Sequence, residues 1–265
     1  MTSQAPHPFA GLDGAQASER TTKPRGAGFT MVADWGLGLQ QQRDLTQMSA
    51  AHFDFAKIAV GMSRLYSAEL LGEKIQHYVS MDIEPFPGGQ YLEYAQVHGQ
   101  LDRYLPACVE AGYRWVEVSD NIAPVTVDWK RQIIARAVEE FDLKVLGEVG
   151  KKEGLDNSIP LLDNAKACMD AGSSVLLLEA AEIFDDDADT ARVIDEIVTA
   201  VGIEQVMFEL PGPWISNVHH HDIHRLRREL IERYGTQVNI GNCSPDDLLS
   251  LEAFRRGLGV NAGSS

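Results

Sequence analysis

Lys144-Val145-Leu146-Gly147-Glu148-Val149-Gly150 is a short β-rich run that ends on a carboxylate and a glycine. Trp115-Val116-Glu117-Val118-Ser119-Asp120 precedes it, and Ser174-Val175-Leu176-Leu177-Leu178-Glu179 and Gln205-Val206-Met207-Phe208-Glu209-Leu210 follow on the same plan. Runs at 29–34, 53–61, 83–89 and 237–242 complete a set of eight, nearly all stopping at a polar residue or a glycine. The end markers Gly88, Ser119, Glu148, Glu179, Glu209 and Asn239 recur about every 30 residues, the length that a strand, a loop and a returning helix consume. Helix-like stretches at 128–141, 158–171, 185–201, 221–234 and 244–256 fill the gaps. The last opens Ser244-Pro245-Asp246-Asp247, a cap followed by proline in the first turn.

Regular alternation of strand and helix predicts a parallel sheet covered by helices. Eight units favour closure, and no glycine-rich phosphate loop follows the first run, which argues against an open doubly wound sheet. The expectation is an α/β protein, a (β/α)8 TIM barrel, whose usual length of about 250 residues matches a chain of 265. Residues 23–265 would form one barrel domain behind a flexible tail at 1–22, rich in Ser, Thr, Gln, Pro and Ala.

Apolar residues make up 44% of the chain, enough for a sizeable core. The net charge of −16 disfavours nucleic acid and anionic membrane as partners, since both need a basic face. It leaves a small anionic substrate open, because a few local cations can dominate a concave site; a homo-oligomer is compatible with it. No stretch approaches the ~20 apolar residues of a membrane span. Cys108, Cys168 and Cys243 have neither metal-ligand spacing nor the even count of a disulfide framework, which fits buried thiols in a reducing cytoplasm.

Barrel enzymes draw their catalytic groups from the carboxyl ends of several strands. Those ends here offer Asp34, Lys57, Glu117, Ser119, Asp120, Glu148, Lys151, Lys152, Glu179, Glu209, Asn239 and Asn242. Any one carboxylate could cap a helix or pair with a lysine. Five from five strand ends are harder to explain so, because close like charges repel by several kcal/mol at an effective dielectric near 20. They need cations: Lys57, Lys151, Lys152 or a divalent metal. An all-oxygen set suits Mg²⁺, with Asp34, Glu117, Glu179 and Glu209 as candidate ligands. Pro87-Gly88-Gly89 allows either close backbone approach to an anion or a tight turn. His219-His220-His221 with His224 reads as a solvated loop-to-helix junction, lacking a further ligand at metal spacing.

At these strand ends, from about Lys23 to Leu258, the chain resembles the phosphosulfolactate synthase family. The resemblance is carried by Lys23-Pro24-Arg25, Asp34 with Gly36, Asp54-Phe55-Ala56-Lys57, Gly61 with Ser63, and Pro87-Gly88-Gly89 followed by Glu93-Tyr94-Ala95. It continues through Val116-Glu117-Val118-Ser119-Asp120, Glu148-Val149-Gly150-Lys151-Lys152, Phe208-Glu209 with Pro211, Val238-Asn239 with Asn242, and Ser250-Leu251-Glu252 with Arg255-Arg256-Gly257-Leu258. It implies a Mg²⁺-dependent barrel that adds sulfite to phosphoenolpyruvate, an early step in coenzyme M biosynthesis. It also implies that Lys152 protonates the substrate carbon, beside Lys151 and Glu148. Arg25, Lys57, Gly88, Gly89, Ser119, Asn239 and Asn242 would then contact the substrate.

The rim departs from the family pattern. Trp35 stands where the family usually has Lys, Gln90 where Thr is common, Ala180-Ala181 where Gly-Arg is favoured, and the stretch from Gly212 where it is Gln-rich. Two readings therefore stand beside the synthase: a diverged member acting on another enol or enolisable carboxylate, and a non-catalytic protein like the stress-related plant members that share the resemblance.

Overall fold

The computed structural model describes residues 8–9, 11–12, 19–150, 160–179, 188–212, 215–216 and 218–259. Eight parallel strands are found: β1 (Thr30–Asp34), β2 (Phe55–Ile58), β3 (Glu84–Pro87), β4 (Trp115–Val118), β5 (Lys144–Val149), β6 (Val175–Glu179), β7 (Val206–Glu209) and β8 (Asn239–Cys243). Ten α-helices accompany them among the described residues: α1 (Leu39–Ser49), α2 (Met62–Leu65), α3 (Ala68–Ser80), α4 (Gly89–Val97), α5 (Leu101–Ala111), α6 (Val127–Phe141), α7 (Leu161–Asp170), α8 (Ala188–Val201), α9 (His220–Tyr234) and α10 (Leu248–Arg255). The hydrogen-bonded order β3-β2-β1-β8-β7-β6-β5-β4 makes a nearly closed (β/α)8 barrel, as the alternation predicts.

The strands are apolar on both faces, as parallel strands under helices must be. Met31, Phe55, Phe86, Trp115, Leu146, Val175, Leu177 and Met207 fill the barrel interior. Residues of opposite parity, such as Val32, Ala56, Val116, Val145, Leu176 and Phe208, pack outward in the larger core between strands and helices. This two-faced division fixes which strand-end side chains can meet.

The one seam without a backbone ladder lies between β3 and β4, and the sequence explains it. Glu84 and Gly88 donate their N–H groups to Asp54 and Ile58, on the β2 side. The intervening positions that would face β4 are Pro85 and Pro87, which have no N–H. Side chains bridge the top of the seam instead: Gly89 N donates to Glu117 Oε1 at 2.9 Å, and Ser119 Oγ donates to Glu93 Oε1.

At the amino end of the barrel, buried arginines are held by carboxylates and by backbone carbonyls. Arg25 meets Asp54, just before β2, at 3.0 Å and donates to the Ala51 carbonyl. Arg255 donates to the carbonyls of Thr236 and Val238 at 2.7 and 2.6 Å, and burial pushes its guanidinium down to about 9. Arg20 is buried and meets Glu252 at 3.0 Å, so a residue on the tail side of the expected boundary at Lys23 belongs to the packed fold. Residues 1–7, 10 and 13–18 of that tail lie outside the described residues. No helix among the described residues is long and apolar enough to cross a membrane.

Candidate active site

Five of the sequence-predicted residues converge at the carboxyl end of the barrel. Lys57 of β2, Glu117 of β4, Glu148 of β5, Glu179 of β6 and Glu209 of β7 share the parity of the interior residues two positions before them, and all are buried. Lys57 Nζ bridges two of the carboxylates, at 2.8 Å from Glu117 Oε2 and 2.7 Å from Glu209 Oε1. Burial disfavours its ammonium form, but Glu117, Glu209 and Glu148 outweigh that and hold its pKa well above the ordinary lysine range. Glu117 is pushed the same way, above the usual carboxylate range. Burial is the main cause, Lys57 opposes it, and the neighbouring Glu148 and Glu209 add to it.

One carboxylate oxygen each from Glu148, Glu179 and Glu209 lies within 4.8 Å of the others. Three buried oxygens that close are an electrostatic arrangement for a cation, and oxygen donors on adjacent strands suit a hard divalent ion. Glu209 Oε2 has no hydrogen-bond partner among the described residues, which leaves a lone pair for such an ion. Glu117, by contrast, has one oxygen on Gly89 N–H and the other on Lys57.

Above this floor is a cavity of about 240 Å³ lined by Ala33, Trp35, Lys57, Ala59, Val60, Gly88, Gly89, Gln90, Glu117 and Asn242. Gly89 opens α4, and only a glycine fits there: a Cβ would stand 2.8 Å from Glu117 Oε1. Gly150, at φ +125°, faces the same constraint after β5, where a Cβ would stand 2.7 Å from the Cβ of Glu179. Val60 holds a left-handed φ of +46°, a strained choice for a β-branched residue. It borders the cavity 38% exposed, beside Trp35 at 46%.

Three predicted site residues are elsewhere. Asp34 has the parity of Val32 and faces outward into the helical layer. There it accepts from Tyr78 Oη at 2.9 Å, meets Lys74 Nζ at 2.9 Å and caps the Gly36 and Leu37 N–H groups, so it is no ligand of the interior cluster. Asn239 begins β8 rather than ending it. Its amide donates to the carbonyls of Glu204 and Val206 and accepts from Phe29 N, locking the amino end of the barrel. Arg25 is likewise committed to Asp54 at that end. Ser119 is buried against Gly89 and gives its hydroxyl to Glu93. Lys151, Lys152, Ala180 and Ala181 lie outside the described residues. His219, His220 and His221 are exposed at the start of α9, as a solvated junction should be.

Several supporting residues gave no signal in the sequence. Lys130 of α6 donates to the Glu148 carbonyl and to Asn164 Oδ1 and meets Asp120 at 3.0 Å, fixing β5 from behind. Asn121 Nδ2 donates to Glu148 Oε1 at 2.7 Å. A Lys or Glu on a helix reads as solvated surface until its neighbours are known.

Fold and floor together define a (β/α)8 barrel with a buried, lysine-bridged carboxylate site at the face where barrel enzymes do their chemistry. A sequence model of the (2R)-phospho-3-sulfolactate synthase (ComA) family matches residues 18–261. The chain is 30% identical over 250 residues to the phosphosulfolactate synthase of Methanothermobacter thermautotrophicus, covering 90% of this chain and 92% of that protein. It is 29% identical over 250 residues to the phosphosulfolactate synthase of Bacillus subtilis, covering 90% and 93%. The chain belongs to the phosphosulfolactate synthase family. Solved structures share the fold alone. KGPDC from Streptococcus mutans aligns with a TM-score of 0.54 at 13% identity, over 85% of this chain and 94% of that one. 3-Hexulose-6-phosphate synthase from Salmonella typhimurium aligns with a TM-score of 0.51 at 13% identity, over 86% and 97%.

Proposed function

We propose that this chain is a carbon–sulfur bond-forming lyase that adds sulfite to phosphoenolpyruvate with the help of Mg²⁺. The convergence of Glu148, Glu179 and Glu209 carries the reading, supported by family membership. These three carboxylates would hold the ion, with Glu117 left to anchor Lys57 rather than to ligate. When bound, Mg²⁺ would supply Lewis-acid stabilisation of the negative charge that develops on the substrate carboxylate.

In the reaction, the sulfite sulfur lone pair forms a C–S bond to the methylene carbon. The π pair moves through the adjacent carbon toward the carboxylate, and that carbon then takes a proton. Lys152, three residues past the end of β5, is the proposed proton donor, with Lys151 beside it. Lys57 offsets the charge of Glu117 and Glu209, and Gly88, Gly89 and Asn242 line the cavity in which the substrate would sit. Buried, unpaired thiols at Cys108, Cys168 and Cys243 suit work in a reducing cytoplasm.

Phosphorus NMR of the chain incubated with phosphoenolpyruvate, sulfite and Mg²⁺ tests this. The phosphoenolpyruvate signal is expected to give way to one phosphomonoester only when sulfite and the metal are both present. No conversion at high enzyme concentration would reject the assignment. One observation favours a second reading, another enol or enolisable carboxylate as acceptor. Trp35 and Val60 make the rim apolar, and Lys57, the only cation among the described lining residues, is already held by two carboxylates.

A further inference from the structure

One buried carboxylate at this face belongs to neither the cluster nor an ion pair. Glu93 on α4 is fully buried, and a single loop uses both its oxygens. Oε1 accepts from Ser119 Oγ and from Asn121 N at 2.9 Å; Oε2 accepts from Ile122 N at 2.6 Å and Ala123 N at 2.8 Å. Four donors converge on one side chain, and three of them are consecutive backbone N–H groups of the connection between β4 and α6. A carboxylate is the one side chain that accepts at both ends with a full negative charge, so it suits such a nest of donors.

What that connection holds is Asn121. Its side chain is buried, and Nδ2 donates to Glu148 Oε1 at 2.7 Å. Glu148 Oε1 is the acceptor in this contact, which sets the amide with its nitrogen toward Glu148. Oδ1 is then left buried with no hydrogen-bond partner among the described residues. An orphaned buried carbonyl is an uncompensated cost that a loop residue without a task would shed by turning to solvent. The Glu93 clamp prevents that turn.

We infer that Asn121 is a positioning residue for Glu148, and that Glu93 acts through it. The clamp on residues 119–123 holds the Asn121 amide against Glu148, and the amide fixes the carboxylate rotamer that meets Glu179 and Glu209. The cation part of this inference rests on the proposed Mg²⁺ site; the positioning part does not. Asn121 thus holds Glu148 through its side chain, and Lys130 holds it through its backbone carbonyl. Partners that orient ligating carboxylates matter to affinity at the level of 10–100-fold.

The test uses the full chain and two variants, Asn121→Ala and Glu93→Gln, with two readouts. The first needs no metal: the carboxyl ¹³C shift of Glu148, and in Glu93→Gln the side-chain amide protons of Asn121. Both variants are expected to move the Glu148 signal, and Glu93→Gln to move the Asn121 amide toward its free value. The second readout is Mn²⁺ affinity by electron paramagnetic resonance, expected to weaken about 10-fold or more in Asn121→Ala and less in Glu93→Gln. If Glu93→Gln fails to fold, Asn121→Ala alone decides. A chain that binds no Mn²⁺ would remove the metal reading, and the Glu148 shift would still judge the positioning claim. An unmoved Glu148 signal in a folded Asn121→Ala variant overturns the inference.

Discussion

The two ends of this barrel both bury charge, but they balance it differently. At the amino end, Arg25 faces Asp54, Arg20 faces Glu252, and Arg255 and Asn239 donate to backbone carbonyls. At the carboxyl end, four carboxylates, Glu117, Glu148, Glu179 and Glu209, are buried together, and Lys57 bridges two of them, Glu117 and Glu209. At the amino end, Arg20 and Arg25 each meet a carboxylate of opposite sign. The carboxyl end instead gathers carboxylates of like charge, with one oxygen each of Glu148, Glu179 and Glu209 within 4.8 Å of the others. Opposite charges set in pairs serve the fold, whereas like charges drawn together are the arrangement found where a cation is bound.

The comparison breaks most visibly at the amino end. Glu252 accepts from Arg20 at 3.0 Å and Arg256 at 2.8 Å, so Glu252→Ala strands a buried guanidinium. A loss of about 3–5 kcal/mol is expected by urea unfolding; a loss under about 1 kcal/mol would remove the distinction between the ends.

Lys57→Met comes next. It leaves Glu117 and Glu209 without their shared cation and is expected to cost about 3 kcal/mol near pH 7. The pH sign follows from Glu117, whose pKa burial and its carboxylate neighbours raise in the folded state. A carboxyl raised on folding holds its proton more tightly when folded. It therefore favours the fold at low pH, and that contribution is lost as pH rises through the folded pKa. Lys57→Met should thus regain stability as pH falls from 7 toward 5, and unfolding curves across that window check it.

Glu179→Gln probes the carboxyl end alone. It removes one of the three converging carboxylates and is expected to weaken cation affinity about 10-fold, read by Mn²⁺ titration, with a smaller change in stability than Lys57→Met. The smallest effect concerns the three buried thiols. Burial pushes Cys108 and Cys243 up to about 12 and Cys168 up to about 11, so none is expected to react with a thiol reagent until the chain unfolds.

The barrel was legible because each strand–helix unit repeats and because polar residues end runs that are otherwise Val, Leu and Phe. Four acidic floor residues were legible for the same reason: Glu117, Glu148, Glu179 and Glu209 each interrupt an apolar run. Asp34 was misplaced because Thr30–Asp34 is buried on both faces, and periodicity gives no parity when neither face is wet. Asn239 was misplaced because 237–242 carries polar residues throughout, so its start and end look alike. Glu93, Asn121 and Lys130 were invisible as site residues for a different reason. Their roles exist only through contacts between distant elements, such as Glu93 of α4 with the connection after β4.

Thermal unfolding during a Mg²⁺ titration of the unaltered chain, Glu252→Ala and Glu179→Gln tests the central contrast most directly. Mg²⁺ is expected to raise the Tm of the first two by a similar increment, despite their different starting stabilities, and to leave Glu179→Gln nearly unmoved. An equal rise in Glu179→Gln, or none in the unaltered chain, would contradict the account.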